Sequence, residues 1–342
     1  MSYFLGIDGG GTRTTAWVAD ERGTVLARAE AGPSNPVKAG FEAAQREILR
    51  AARKALALAA RYARHSRSRP GMPAVIHGQP AGRRIDRRYK KGVIYEAVCA
   101  GVAGVDRLPV HRRLYSWLRR AIPAQRHMLT GDAAIALRAA VGEAPGIIVI
   151  SGTGSIACGQ DECGRILRAG GWGIPFDDRG SGYDLGRKAL GAALQDFDGR
   201  GRPTALTRTI CRALDLENIT QVVLKPLTQQ QIAALFPLVV QAARQKDQVA
   251  RSLCNQAGMD LADLAIAVIQ RFGWRRRAFP VVCAGGVLKS SVMIRAVFAR
   301  HVRAFAPRVR VRLLRREPAE GALDFARALA SCQPPPEPRI VL

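Results

Sequence analysis

Three observations predict an α/β fold made of two related domains. Short apolar runs of strand length alternate with stretches of helical period. A unit of strand, glycine-rich tip, second strand, acidic turn and third strand occurs twice, over residues 3–27 and 146–169. The chain has 342 residues, long for one domain, with 48% apolar residues to build cores.

The first unit opens with Tyr3 to Ile7, an apolar run ending in the carboxylate of Asp8. Gly9, Gly10 and Gly11 allow a sharp turn and close approach of a ligand to the backbone. Hydroxyls follow at Thr12, Thr14 and Thr15. A second strand leaves through Ala16–Ala19, and Asp20-Glu21-Arg22-Gly23 turns the chain into a third, Thr24–Ala27. Backbone N–H groups and hydroxyls suit phosphate oxygens, and a carboxylate suits the Mg²⁺ that accompanies them. A hairpin without a ligand is the plainer reading of the same residues. The tip lacks the Lys-Ser/Thr of a Walker A loop and the following helix of a Rossmann turn.

Gly32-Pro33-Ser34-Asn35-Pro36 is a turn cluster, and a helix is expected from Phe41 to Arg64. From Arg61 to Lys91 ten Arg/Lys face a single acid, Asp86, among prolines and glycines, which reads as an exposed basic excursion. A solvated loop is the default and a nucleic-acid arm the alternative. A strand is expected over Val93–Val102, a helix over Arg113–Arg120, and a short strand over Arg126–Thr130. Gly131-Asp132 then opens an Ala/Leu helix over Ala133–Val141. An Asp at a strand end with a helix behind it faces the crevice where α/β sites lie.

The second unit runs through Gly146–Ile150, the tip Ser151-Gly152-Thr153-Gly154-Ser155, a turn at Gln160–Gly164 and the strand Arg165–Ala169. The duplication predicts two phosphate-facing tips across a cleft. Gly170-Gly171-Trp172-Gly173 through Gly180-Ser181-Gly182-Tyr183 follows, with Asp177 and Asp178 adjacent. This stretch reads as one wall of a polar-ligand site, Trp172 giving an apolar face and Asp178 accepting hydroxyl hydrogen bonds. A structural Ω-loop is the alternative. Helices are expected over Asp184–Leu194, Ala205–Leu214, Gln229–Gln245 and Asp247–Phe272. A buried strand, Phe279–Ala284, leads through Gly285-Gly286 into a helix. Arg308–Leu314 is a last strand, Glu320 to about Ser331 a closing helix, and Pro334–Pro338 part of a tail.

Composition bounds the partners. Lys plus Arg is 53 against 27 Asp plus Glu, a net charge of +26. That suits an anionic ligand or polyanion, or else charge spread over solvated faces. Seven cysteines form no CxxC and no zinc-type spacing, so buried thiols in a reducing compartment are expected. With no apparent leader and no membrane-length apolar run, the expectation is a soluble, cytoplasmic protein.

At this point the residues resemble a known family. Gly6-Ile-Asp-Gly-Gly-Gly-Thr12, Gly32-Pro-Ser-Asn-Pro36, Cys99-Ala-Gly-Val-Ala-Gly-Val-Asp106, Gly131-Asp-Ala133, Ser151-Gly-Thr-Gly-Ser155, Gly170-Gly-Trp-Gly173 with Gly180-Ser-Gly-Tyr183, and Cys283-Ala-Gly-Gly286 occur in order. Together they resemble the BadF/BadG/BcrA/BcrD ATPase family and, within the sugar kinase–Hsp70–actin superfamily, its N-acetylglucosamine kinase branch. The resemblance implies two ribonuclease-H-like (actin-like ATPase) domains, residues 1–125 and 126–319, with a helical insertion in the second. The helix over 320–332 would pack back on the first domain, and residues 333–342 form the tail.

It also implies ATP and Mg²⁺ as cofactors, a small-molecule sugar substrate and a homodimer. Asp8, Gly10, Gly11, Thr12 and Thr14 would form the first phosphate loop, with Asp8 near Mg²⁺ through water. Gly152, Thr153, Gly154 and Ser155 would form the second, and Gly285 and Gly286 would lie against adenosine. Asp132 matches the catalytic base. Asn35, Gly171, Trp172, Gly173 and Asp178 match positions that hold the amino sugar, together with Asp132. The chain departs from the pattern at Gly131, where the family usually has Asn, at Asp177-Asp178-Arg179 in place of Gly-Asp-Glu, and in the basic excursion.

The leading expectation is therefore a kinase that phosphorylates O6 of N-acetylglucosamine or a relative. The alternatives are an ATPase activator of a CoA-ester reductase or dehydratase, or a non-catalytic sugar sensor that binds nucleic acid.

Overall fold

The computed structural model describes residues 2–68, 95–331 and 340–341. The basic excursion lies outside them from residue 69 onward, as does the tail over 332–339. The chain divides into two compact units, 1–144 with 315–340, and 145–314 with 341–342.

The first unit is built on the sheet β3-β2-β1-β4-β5, formed by β1 (Tyr3–Gly9), β2 (Thr14–Asp20), β3 (Val25–Ala31), β4 (Tyr95–Val102) and β5 (Ala124–Thr130). β1–β2 and β2–β3 are antiparallel, while β1–β4 and β4–β5 are parallel. Alternation along β1 decides the two faces. The short helix α1 (Pro36–Ala39) follows β3. Leu5 and Ile7 join Ala16, Val18, Ile48, Leu114 and Leu118, buried under α2 (Phe41–Ser68) and α3 (Leu108–Ala121). Phe4 joins Trp17, Cys99, Ile135 and Leu323 on the other face, under α4 (Asp132–Val141) and the closing helix Pro318–Ser331. Gly6 lets that closing helix lie on β1, because a Cβ there would stand 2.7 Å from the Ala319 carbonyl oxygen.

The second unit repeats the order as β10-β9-β6-β7-β8, with a short strand added beside β8. Its strands are β6 (Gly146–Ser151), β7 (Ser155–Gln160), β8 (Ile166–Gly170), β9 (Pro280–Ala284), β10 (Arg310–Leu313) and β11 (Ile340–Val341). β6–β7 and β7–β8 are antiparallel, and β6–β9 and β9–β10 parallel, as in the first unit. This strand-for-strand agreement establishes two ribonuclease-H-like units. The helical insertion comprises α5 (Gly182–Phe197), α6 (Ala205–Leu214), a 3₁₀ turn at Ile219–Leu224, α7 (Gln229–Ala233), α8 (Phe236–Arg244) and α9 (Gln248–Phe272). α10 (Gly285–Ser290) and α11 (Val292–Phe305) follow β9, and the closing helix is α12.

Several expectations change. The boundary expected at 125/126 falls inside β5, which pairs with β4 from Tyr95↔Ala124 onward and so belongs to the first unit. The helix expected from 41 to 64 runs to Ser68. The single helix expected over 229–245 is two, parted at Leu235 just ahead of Pro237. The tail is not all tail, since Ile340–Val341 is an edge strand. Cys99, Cys254 and Cys283 are buried, and burial raises their thiol pKa values. Among the described residues no helix is long and apolar enough to cross a membrane.

Candidate functional site

Each unit presents a glycine tip at the end of its first strand, and each tip is laced to a following turn. In the first unit the tip closes with Gly10 N–H donating to Arg13 O (2.9 Å). Ser34 N–H donates to Gly10 O (3.0 Å), and Ala103 N–H to Gly9 O (2.8 Å). Thr14 Oγ1 donates towards Gly32 O (2.6 Å) or Ser34 Oγ (2.7 Å) and is fully buried. Its hydroxyl therefore serves the turn and does not face a ligand, unlike the exposed Thr12. Asn35 caps the short helix Pro36–Ala39, its Oδ1 accepting from Val37 N (2.9 Å) and Lys38 N (3.2 Å).

Asp8 is half-buried at the end of β1. Burial raises its carboxyl pKa to about 7, helped by the charges of Asp132 and Glu317 and opposed by Arg13. Asp132 begins α4 and accepts Ala133 N–H on Oδ1 (3.0 Å). These carboxylates thus share one electrostatic neighbourhood in the first unit. Glu317 was not singled out in the sequence. It precedes Pro318, and its N–H donates to Glu320 Oε1 (3.0 Å), which marks a helix cap. The Glu-Pro-x-Glu spelling signals that cap, but nothing local places it near Asp8.

At Gly131 a neighbouring carboxylate takes the place of a side chain. A Cβ at Gly131 would lie 2.6 Å from Asp106 Oδ1. Real Cβ atoms do not approach so closely, so the Asp106 carboxylate occupies the space a side chain before Asp132 would fill. The absent side chain and the nearby Asp are one arrangement, which single-residue motifs do not reveal.

In the second unit Gly152 N–H donates to Gly154 O (2.9 Å), closing a tip like the first. Gly182 N–H reaches Gly152 O (2.8 Å) and Ser151 Oγ reaches Gly180 O (2.9 Å). Ser155 donates N–H to Asp178 Oδ1 (2.9 Å) and Oγ–H to Arg179 O (2.7 Å). Ser155 is buried, so its hydroxyl proton is engaged within the protein. Thr153 and Gly154 are left partly exposed on the tip. Gly171, Trp172 and Gly173 lie in the loop after β8. Arg168 donates to Gly170 O (3.0 Å) and Gly171 O (3.1 Å), with its guanidinium carbon 4.7 Å from the Trp172 ring centre. Trp172 stays 56% exposed, an aromatic platform backed by a cation. Gly285 and Gly286 open α10 directly after β9.

The donor set fits Mg²⁺ in a limited way. No group of three His, Cys, Asp or Glu among the described residues forms a metal cage. Asp8, whose pKa is raised to about 7 by burial and by like charges, would gain a counter-ion from a hydrated Mg²⁺ bound through one or two carboxylates and phosphate oxygens.

Duplicated ribonuclease-H-like units with hydrogen-bonded glycine tips define an actin-like ATPase fold. The model of the BadF/BadG/BcrA/BcrD ATPase family matches residues 5–326, and the chain belongs to that family. It is 29% identical to an N-acetylmuramic acid/N-acetylglucosamine kinase of Clostridium acetobutylicum over 96% of this chain and 99% of that one. It is 28% identical to an N-acetyl-D-glucosamine kinase of Dictyostelium discoideum over 94% and 97%. The crystal structure of a candidate N-acetylglucosamine kinase from Chromobacterium violaceum superposes with TM-score 0.71 at 29% identity, over 94% of this chain and 98% of that one.

Proposed function

We propose that this protein is an ATP-dependent amino-sugar kinase that transfers the γ-phosphate of ATP to O6 of N-acetylglucosamine or a close relative. The observation that carries this is that Asp8 and Asp132 lie near enough for the Asp132 charge to raise the Asp8 pKa, beside a hydrogen-bonded glycine tip, with a matching tip in the second unit. The names of the similar kinases support the amino-sugar class.

In this reading Asp132 accepts the proton of the attacking hydroxyl as its oxygen bonds to the γ-phosphorus and the bond to the ADP oxygen breaks. A positioned base of this kind contributes roughly 10² to 10⁴ in rate. Gly10, Gly11 and Thr12, with Gly152, Thr153 and Gly154, offer backbone and hydroxyl donors to the phosphates. Asp8 and Glu317 hold negative charge where Mg²⁺ would sit, and that ion, when bound, offsets the charge of the phosphates. Asn35, Trp172 and Asp178 contact the sugar, and Gly285 and Gly286 lie against adenosine.

The test is ATP consumption against N-acetylglucosamine, glucosamine, N-acetylmuramic acid and glucose. Turnover that depends on one of the amino sugars is expected. ATP hydrolysis indifferent to every sugar would refute the proposal.

A further inference from the structure

We infer that Asp178 is a positioning residue for the second glycine tip, and that its carboxylate joins the acceptor side of the site to the phosphate side, so that acceptor and nucleotide tighten one another's binding. This rests on the proposed kinase reading for the identity of the two ligands, but not for the bracing itself.

The bracing is geometric. Asp178 is 6% exposed and has φ +69°, in the left-handed region that costs most non-glycine residues energy but that Asp enters more readily than most. From that position Oδ1 accepts Ser155 N–H at 2.9 Å. Three further hydrogen bonds tie residues 179–182 to the same tip: Ser155 Oγ to Arg179 O, Ser151 Oγ to Gly180 O, and Gly182 N to Gly152 O. The carboxylate also covers Gly154, where an added Cβ would lie 2.7 Å from Oδ1 and 3.1 Å from Oδ2. The loop that carries Trp172 and the tip that carries Thr153 are therefore one hydrogen-bonded body.

The sign of the coupling follows from charge. A carboxylate beside a phosphate tip repels the nucleotide. Ser155 N–H offsets part of that charge, and a sugar hydroxyl donating to the same carboxylate would offset more. An acceptor that bonds Asp178 should thus strengthen nucleotide binding, and by linkage the nucleotide strengthens acceptor binding by the same factor.

Calorimetric titration of Mg²⁺ and a non-hydrolysable ATP analogue, with and without N-acetylglucosamine, tests this on the full chain. Wild type should bind the analogue about five-fold or more tightly with sugar present. Asp178→Ala removes the brace together with the charge; losing the brace outweighs the relief of repulsion, so analogue binding should weaken about ten-fold and the sugar effect should vanish. Asp178→Asn keeps an oxygen for Ser155 N–H and removes the charge, so it should bind the analogue at least as tightly as wild type without sugar and show little further gain when sugar is added. Gly154→Ala should mimic Asp178→Ala, because its methyl lands on the carboxylate, yet add no further loss in the Asp178→Ala background.

Circular dichroism and melting of each variant exclude misfolding. An Asp178→Ala protein that loses only sugar affinity, or Gly154→Ala and Asp178→Ala losses that simply add, would overturn the inference. Wild type that binds the analogue but no sugar would sink the amino-sugar reading and the coupling, while the Asp178→Ala comparison would still decide the bracing.

Discussion

Asp132 and Asp8 are two carboxylates of one unit with different duties, and substitution separates them. Asp132→Asn keeps the size and the hydrogen bond to Ala133 N–H but cannot accept the acceptor's proton. Its kcat should fall by roughly 10² to 10⁴, while calorimetry still finds the sugar bound. Near-wild-type turnover would remove Asp132 from the mechanism. Trp172→Ala removes an exposed ring backed by Arg168 and should raise KM for the sugar more than KM for ATP. Equal rises would make the ring merely structural.

Asp8 makes a pH prediction. Its carboxyl titrates near 3.8 when unfolded and about 7 in the fold. Between those values the folded protein keeps a proton that the unfolded chain has released. Rising pH therefore favours unfolding, by up to about 1.4 kcal/mol per pH unit from this group, and the effect ends above the folded pKa. Asp8→Asn removes the titration. In chelator-treated protein, the stability of Asp8→Asn relative to wild type should climb across that window and level off above it. A gap constant with pH would contradict the burial of Asp8.

At the scale of elements, the two hairpin units were legible because their determinants are local. Each tip is a run of Gly, Thr and Ser between apolar strands, and each acidic turn ends in Gly. What stayed hidden depends on contacts distant in sequence. β5 belongs to the first unit only through its pairing with β4. Glu317 reaches the neighbourhood of Asp8 only because α12 returns to β1. Asp106 explains Gly131 only once the loop after β4 lies beside the start of α4. Thr14 and Ser155 have the right chemistry for phosphate, but pleat and burial turned their hydroxyls inward.

The return of α12 is itself testable. A Cβ on Gly321 would lie 2.0 Å from the Ile135 carbonyl oxygen, a backbone atom that cannot rotate away. Gly321→Ala should therefore cost about 3 kcal/mol, at the upper end of overpacking effects, read by denaturant unfolding. A loss within the ordinary surface range would show that α12 does not pack on α4 as described.

At the scale of the whole molecule, the chain carries +26, yet Asp8, Asp132 and Glu317 gather in one neighbourhood. Self-repulsion among so many like charges disfavours the compact state. Raising NaCl from about 20 mM to about 300 mM shortens the screening length severalfold, so the melting midpoint should rise. A midpoint that falls would mean that ion pairs such as Arg316–Asp324 and Arg138–Glu143 outweigh the net charge.

The most direct measurement follows the phosphorus itself. Protein, Mg²⁺, γ-labelled ATP and N-acetylglucosamine are incubated, and the sugar product is isolated and its phosphate position read by NMR. The expected result is label on the sugar at O6, one per ADP formed, and its loss in Asp132→Asn. Label released only as inorganic phosphate, at the same rate with or without sugar, would contradict the account.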